Sequence, residues 1–221
     1  MLCYGLAFLP QLCLPGHSLG DFWGYQTSMY SYHSSLQATH AFSSSWWQWP
    51  LMERPVWYHV TYNPGGQEGT LCTIAGMGSP LLWWGGLAAL LYTLVRAVRC
   101  RRGAACFILV GYGACYVPWM LVSRLTFLYH YFPCVPFLAM AVAFWYTKTF
   151  ETAGKKSCRL LFPHSSHRFW QKVTLGDGII TGLCIISVGF VILFWPVITG
   201  VPVSSSYIHW LQWLPGWFFG G

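Results

Sequence analysis

The run Gly103-Ala104-Ala105-Cys106-Phe107-Ile108-Leu109-Val110, continued by GYGACYVPWMLVS to Ser123, decides the fold. It contains no Asp, Glu, Lys or Arg, and it matches the roughly 20 residues that a helix needs to cross a bilayer core. Its apolar character is continuous. A barrel strand would alternate apolar and polar positions, so the run reads as a helix.

Working outward, residues 1–20, 69–95, 125–147 and 178–221 are also free of these charges. Together they define four windows of spanning length, roughly 79–98, 103–122, 126–147 and 178–200. Only 8% of the 221 residues are charged and 55% are apolar. A soluble domain carries about 25% charged residues, so a water-soluble globule is excluded. The expected fold is an all-α integral membrane protein with four full transmembrane helices. A short apolar N-terminal segment, a long aromatic loop over 16–78 and an interfacial C-terminus complete it. The tail from Tyr207 to Gly221, with Trp210, Trp213 and Trp217, suits the headgroup zone.

The cations orient the spans. Arg96, Arg99, Arg101 and Arg102 lie between the first two, and Lys148, Lys155, Lys156, Arg159, Arg168 and Lys172 between the third and fourth. Four alternating spans place both basic loops, 96–102 and 148–177, on one side. The positive-inside rule makes that side cytoplasmic, leaving 16–78 and the C-terminus extracytoplasmic. The net charge of +7 is thus mainly a topology signal that also suits anionic membrane lipids, and nothing points to nucleic acid.

Within 16–78, Trp46, Trp47, Trp49 and Trp57 crowd into twelve residues. They read either as an aromatic belt or as the wall of a carbohydrate or lipid-headgroup cleft, with His40 supplying a directional hydrogen bond. His33, His40 and His59 match no common metal spacing, and no metal or cofactor is expected. Ser43, Ser44 and Ser45 read as turn or cap residues rather than nucleophiles. The nine cysteines form no ligand or redox pairing pattern.

Arg124 lies between two charge-free spans. It is either a snorkelling side chain or a phosphate fork, because guanidinium binds phosphate through parallel hydrogen bonds. Arg54 carries the same alternatives. If the stretch is helical, Arg124, Leu128 and Tyr131 share a face, and His130 points away to bond a neighbouring helix or a substrate.

Three blocks carry a family resemblance: Tyr30 through His33 to Thr39-His40 with Ser44-Ser45-Trp46-Trp47-Gln48-Trp49-Pro50-Leu51; Arg124-Leu125-Thr126-Phe127-Leu128-Tyr129-His130-Tyr131-Phe132-Pro133; and Pro196-Val197-Ile198-Thr199-Gly200. They resemble the C-terminal part of the protein O-mannosyltransferases of the GT-C superfamily. The resemblance implies an inverting enzyme that transfers mannose from a polyprenyl-phosphate donor to Ser or Thr hydroxyls of an acceptor protein. Side-chain chemistry then suits Arg124 and Arg54 to the donor phosphate, and His40, Trp46, Trp47, Trp49, His130 and Tyr131 to the donor or acceptor cleft. No large sugar-binding-like insert interrupts 16–78, which resembles a bacterial member in a plasma membrane.

In this family the catalytic acid pair sits in an N-terminal half. Residues 1–15 resemble the remnant of a preceding span, and none of the five acids here matches the base. The expectation is a C-terminal module without a catalytic acid, inactive without an N-terminal partner half. Asp21 and Glu53 are weak replacement candidates. The alternative is a non-catalytic membrane subunit that binds a polyprenyl-phosphate sugar or scaffolds a partner. A transporter is disfavoured because the spans lack paired ionisable residues.

Overall fold

The computed structural model describes residues 2–35, 39–100, 103–151 and 175–220. Arg101, Arg102 and the basic stretch 155–172 lie outside the described residues. The chain divides into two compact units, Met1–His40 with Val122–Leu125, and Ala41–Leu121 with Thr126–Gly221.

In the smaller unit, α1 (Leu2–Ala7) and α2 (Leu9–Leu12) are short, and α3 (Leu19–Ser35) runs for 17 residues. Tyr4, Phe8 and Phe22 meet edge to face, and the Tyr4 hydroxyl donates to Gln26 Oε1 at 2.7 Å. The start of α3 is set by a reciprocal cap. The Ser18 amide and hydroxyl donate to Asp21 Oδ2 at 2.6 and 2.8 Å, and the Asp21 amide approaches Ser18 Oγ at 3.4 Å. This satisfies donors that the first helical turn leaves open.

The larger unit holds four helices long and apolar enough to cross a membrane: Pro80–Cys100, Gly103–Leu121, Leu128–Phe150 and Gly176–Thr199. Their regular parts are α4 (Pro80–Cys100), α5 (Gly103–Tyr116), α6 (Val135–Tyr146) and α7 (Leu175–Thr199). All four expected windows are helical. Two spans carry 3₁₀ turns beside proline, Val117–Leu121 after α5 and Leu128–Cys134 before α6. Pro118 and Pro133 lack the amide a regular turn would use, and the tighter turn fits the chain around them. Glycine lets spans meet closely: a Cβ on Gly86 would come within 2.7 Å of Leu138 Cβ, so α4 lies directly against α6. The Tyr146 hydroxyl donates to Asp177 Oδ1 at 2.9 Å, tying the end of α6 to the start of α7.

The stretch expected to be loop contains regular structure. Besides α3 it holds β1 (Val56–Tyr62) and β2 (Thr70–Gly76), an antiparallel hairpin extended by β3 (Val203–Ser204) in the order β1-β2-β3. β-branched and aromatic residues dominate β1, and Asn63-Pro64-Gly65-Gly66 makes the turn, with Asn63, Gly65 and Gly66 all left-handed. The sheet is fastened to α7 at Gly200, where the Cys72 thiol donates to the Gly200 carbonyl at 2.9 Å. The tail then forms α8 (Ser205–Trp210).

The main core lies where hairpin, Trp-rich segment, tail and helix ends converge, with Trp49, Trp83, Tyr131, Phe194 and Trp217 all fully or nearly fully buried. Trp217 therefore departs from the interfacial expectation. The sequence shows that an indole is present but not that a tail folds back over it. Trp210 is exposed.

Candidate functional site

The smaller unit brings together two residues that lie 91 positions apart: Arg124 Nη1 is 3.2 Å from His33 Nδ1. A guanidinium only donates, so Nδ1 accepts and the ring proton sits on Nε2. His33 stands in the last turns of α3, its ring against Tyr32. Backbone 122–127 is not helical. The shared helical face of Arg124, Leu128 and Tyr131 is thus replaced by an extended approach to the 3₁₀ turn. Arg124 is half-buried and held by a neutral ring nitrogen, so its positive charge is not cancelled by this partner. The remaining guanidinium donors and the His33 Nε2–H suit an anion with several acceptor oxygens, such as a phosphate.

Asp21, in the same unit, is engaged in structure. Hydrogen bonds from the Ser18 side chain and amide hold its carboxyl below the ordinary value, with His17 adding a smaller effect. A depressed carboxylate is a weaker base for a hydroxyl. Because the folded value lies below the unfolded one, the cap contributes fully above the ordinary carboxylate range and is lost as pH falls through the depressed value. Asp21→Asn is expected to reduce far-UV helical signal at neutral pH, and the difference from the parent should vanish in acid, where both side chains are uncharged.

In the larger unit, the Trp-rich segment is built as a buckle. The Ser44 amide donates to the Thr126 carbonyl at 2.9 Å, and the Thr126 hydroxyl donates to the Ser44 carbonyl at 2.8 Å. Trp49 Nε1 donates to Ser44 Oγ at 3.1 Å, and Trp83 Nε1 donates to the Trp49 carbonyl at 2.7 Å. Gln48 Oε1 accepts from the Ser45 amide at 2.8 Å, which caps the 3₁₀ turn Trp46–Gln48. The serine run therefore serves turn and cap geometry. Arg54 Nη1 donates to the Ala41 and Ser43 carbonyls at 3.2 and 3.3 Å, which fixes the entry to the buckle.

Aromatic rings continue from it. Trp49 stacks on His130 with centroids 5.8 Å apart, and His130 also meets Trp119 at 4.2 Å and Tyr129 at 4.4 Å. His130 Nδ1 lies 3.1 Å from the Phe127 amide and 3.0 Å from its carbonyl. Tyr116 donates to the Trp46 carbonyl at 3.0 Å, and the Tyr131 and Tyr112 hydroxyls lie 2.7 Å apart.

The sequence-derived candidates thus separate by burial. Trp49 and Tyr131 are 0% exposed. Trp47 is 52% exposed, Trp46 and His130 are half-buried, and His40 ends the smaller unit. Sequence reasoning missed His33 as the partner of Arg124, and no local spacing could have revealed it. It also missed Tyr129, which is exposed at the outer end of the ring series.

The family described as the C-terminal four TMM region of protein-O-mannosyltransferase matches residues 18–217. The polyprenol-phosphate-mannose--protein mannosyltransferase of Mycobacterium tuberculosis is 27% identical over 205 residues, 88% of this chain and 36% of that protein. The protein of the same name from Mycolicibacterium smegmatis is 27% identical over 224 residues, 96% of this chain and 40% of its own length. The solved structure of the S. cerevisiae protein O-mannosyltransferase Pmt1-Pmt2 complex bound to the sugar donor has the same fold. Its TM-score is 0.70 at 20% identity, over 94% of this chain and 28% of that one. The chain spans 36–40% of the length of these mycobacterial relatives.

Proposed function

We propose a function from one premise: the chain belongs to the protein O-mannosyltransferase family, as its C-terminal four-helix region. On that premise it is the donor-holding and cleft-forming part of a membrane glycosyltransferase. The whole enzyme moves mannose from a polyprenyl phosphate to Ser or Thr hydroxyls of proteins.

The observation that carries this reading is the Arg124–His33 pair. Displacing phosphate from an anomeric carbon requires a base for the incoming hydroxyl and fixed donors for the charge that builds on the leaving group. Arg124 supplies those donors, oriented by His33. Arg54 has the same chemistry, with one nitrogen spent on the carbonyls of Ala41 and Ser43. Trp46, Trp47 and His130 offer ring faces and edges for a sugar or an acceptor, and His40 a further polar contact. Two carboxylates of this region serve structure: Asp21 caps α3, and Asp177 accepts from Tyr146. The curated relatives extend well beyond the matched region, and the family resemblance gives the base to the N-terminal half of the whole enzyme.

The reading places the basic loops on the cytoplasmic side of a bacterial plasma membrane and the hairpin and Trp-rich segment opposite. The chain, reconstituted in lipid nanodiscs and titrated with polyprenyl-phosphate mannose, is expected to bind saturably. Polyprenyl phosphate should compete and uncharged polyprenol should not. Absence of binding, or equal competition by the uncharged alcohol, would overturn the reading.

A further inference from the structure

β1 lies at the margin of its sheet, and among the described residues it pairs only with β2. The opposite margin, β3, is only two residues long, whereas β1 has seven. An edge strand presents a row of backbone donors and acceptors to any extended chain, and proteins usually guard it with charge or proline. Val56–Tyr62 reads VWYHVTY, with neither. Tyr58, His59, Thr61 and Tyr62 are exposed, Tyr58 and Tyr62 by 59% and 60%.

The strand is irregular at one point. Trp57 pairs with Ala75 and His59 with Ile74, so Tyr58 is an extra residue, while the ladder from His59 to Tyr62 is regular. Such a bulge re-aims a side chain. Here the Tyr58 ring lies across Gly76, where a Cβ would come within 2.8 Å of Tyr58 Cε2. Partial burial, and secondarily the charge of Tyr129, push the Tyr58 hydroxyl above its ordinary value. Tyr129 in turn stacks on Phe127 at 5.3 Å and leans on His130 at 4.4 Å. The unguarded edge and the aromatic surface of the candidate site each carry an exposed tyrosine, Tyr58 and Tyr129.

We infer that the His59–Tyr62 edge is a docking strand for the acceptor polypeptide, which adds to the sheet in extended form while its side chains meet Tyr58 and Tyr129. Main-chain pairing selects conformation rather than sequence, so the fitting partner is an unfolded, weakly charged segment carrying Ser or Thr. Alternate side chains of an added strand point to opposite faces, so every second residue would be turned toward the aromatic surface. This inference rests on the protein-acceptor reading above.

The test uses the full chain in lipid nanodiscs and a fluorescein-labelled Thr/Val peptide of seven residues, matched to β1. Two further peptides carry N-methyl groups on alternate residues, one set in each register. The parent peptide should bind saturably. Methylation in one register should weaken binding about tenfold or more, and in the other by less than about twofold, because only one set of amides faces β1. Tyr58→Ala should weaken the parent peptide and leave the register preference intact. No binding, or equal loss in both registers, would overturn the inference, as would a dimer of the chain that the peptide dissociates, since that assigns the edge to a second copy. Donor titration on the same nanodiscs separates the two ideas: donor binding without peptide binding defeats this inference alone, and absent donor binding defeats the reading beneath it.

Discussion

Arg124→Ala is expected to weaken binding of polyprenyl-phosphate mannose about tenfold to hundredfold, since a hydrogen-bonded charge contributes about 1.5–3 kcal/mol and each 1.4 kcal/mol is tenfold. Arg124→Lys keeps the charge and loses the planar fork, so it should recover only part of the affinity. His33→Ala leaves the guanidinium present and removes the ring nitrogen that orients it at 3.2 Å, so its loss should be smaller than that of Arg124→Ala. The order parent, His33→Ala, Arg124→Ala separates a phosphate fork from a side chain that merely snorkels to headgroups. Titration of the three proteins with donor gives the order directly. Unchanged affinity in Arg124→Ala would return the residue to the snorkelling role.

Trp217→Ala should cost about 3–5 kcal/mol of stability, the range for deleting a large buried aromatic. Trp217 is 1% exposed and contacts Phe194, Trp213 and Phe219. Its Nε1 donates at 2.6 Å to the carbonyl of Met52, a residue in the left-handed region at φ 52°. That conformation is uncommon for a side chain like methionine and persists because its surroundings fix it. Three observations converge on it: the Trp217 hydrogen bond, the Gly78 amide 3.2 Å from Met52 Sδ, and burial to 0% exposure. Trp217→Phe keeps most of the packing and leaves the Met52 carbonyl without its donor, for a loss of about 1–3 kcal/mol. Thermal unfolding followed by circular dichroism checks both, with Trp210→Ala as the exposed control. Equal melting temperatures for Trp217→Ala and Trp210→Ala would refute the assignment of Trp217 to the core.

The four spans were legible because the bilayer permits little else: a charge-free run of sufficient length has one economical structure. Their irregular ends were not, because Pro118 and Pro133 lie inside charge-free windows whose composition does not show where a turn tightens. The hairpin left a signal in the β-branched and aromatic run at 56–62 and in Asn63-Pro64-Gly65-Gly66, yet the density of tryptophan drew that segment toward a surface reading. α3 gave less signal. It buries no residue, and the Ser18–Asp21 cap fixes where it begins. Arg124 stands out by its isolation among apolar neighbours, while nothing local to His33 shows that it meets a residue 91 positions away. Indoles show the limit most clearly: Trp47 and Trp49 are two residues apart, one half-exposed and one buried, and only the Ser44–Thr126 buckle tells them apart.

The attachment of the sheet to α7 makes bilayer thickness a mechanical input. At 25 residues α7 is about 37 Å long, against a hydrocarbon core of about 30 Å. A helix longer than its bilayer tilts, and its tilt follows the local thickness. Since β2 is bonded to the end of that helix through Cys72 and Gly200, the hairpin turns with it. The Cys72–Gly200 joint is thus the place where the tilt of α7 meets the sheet.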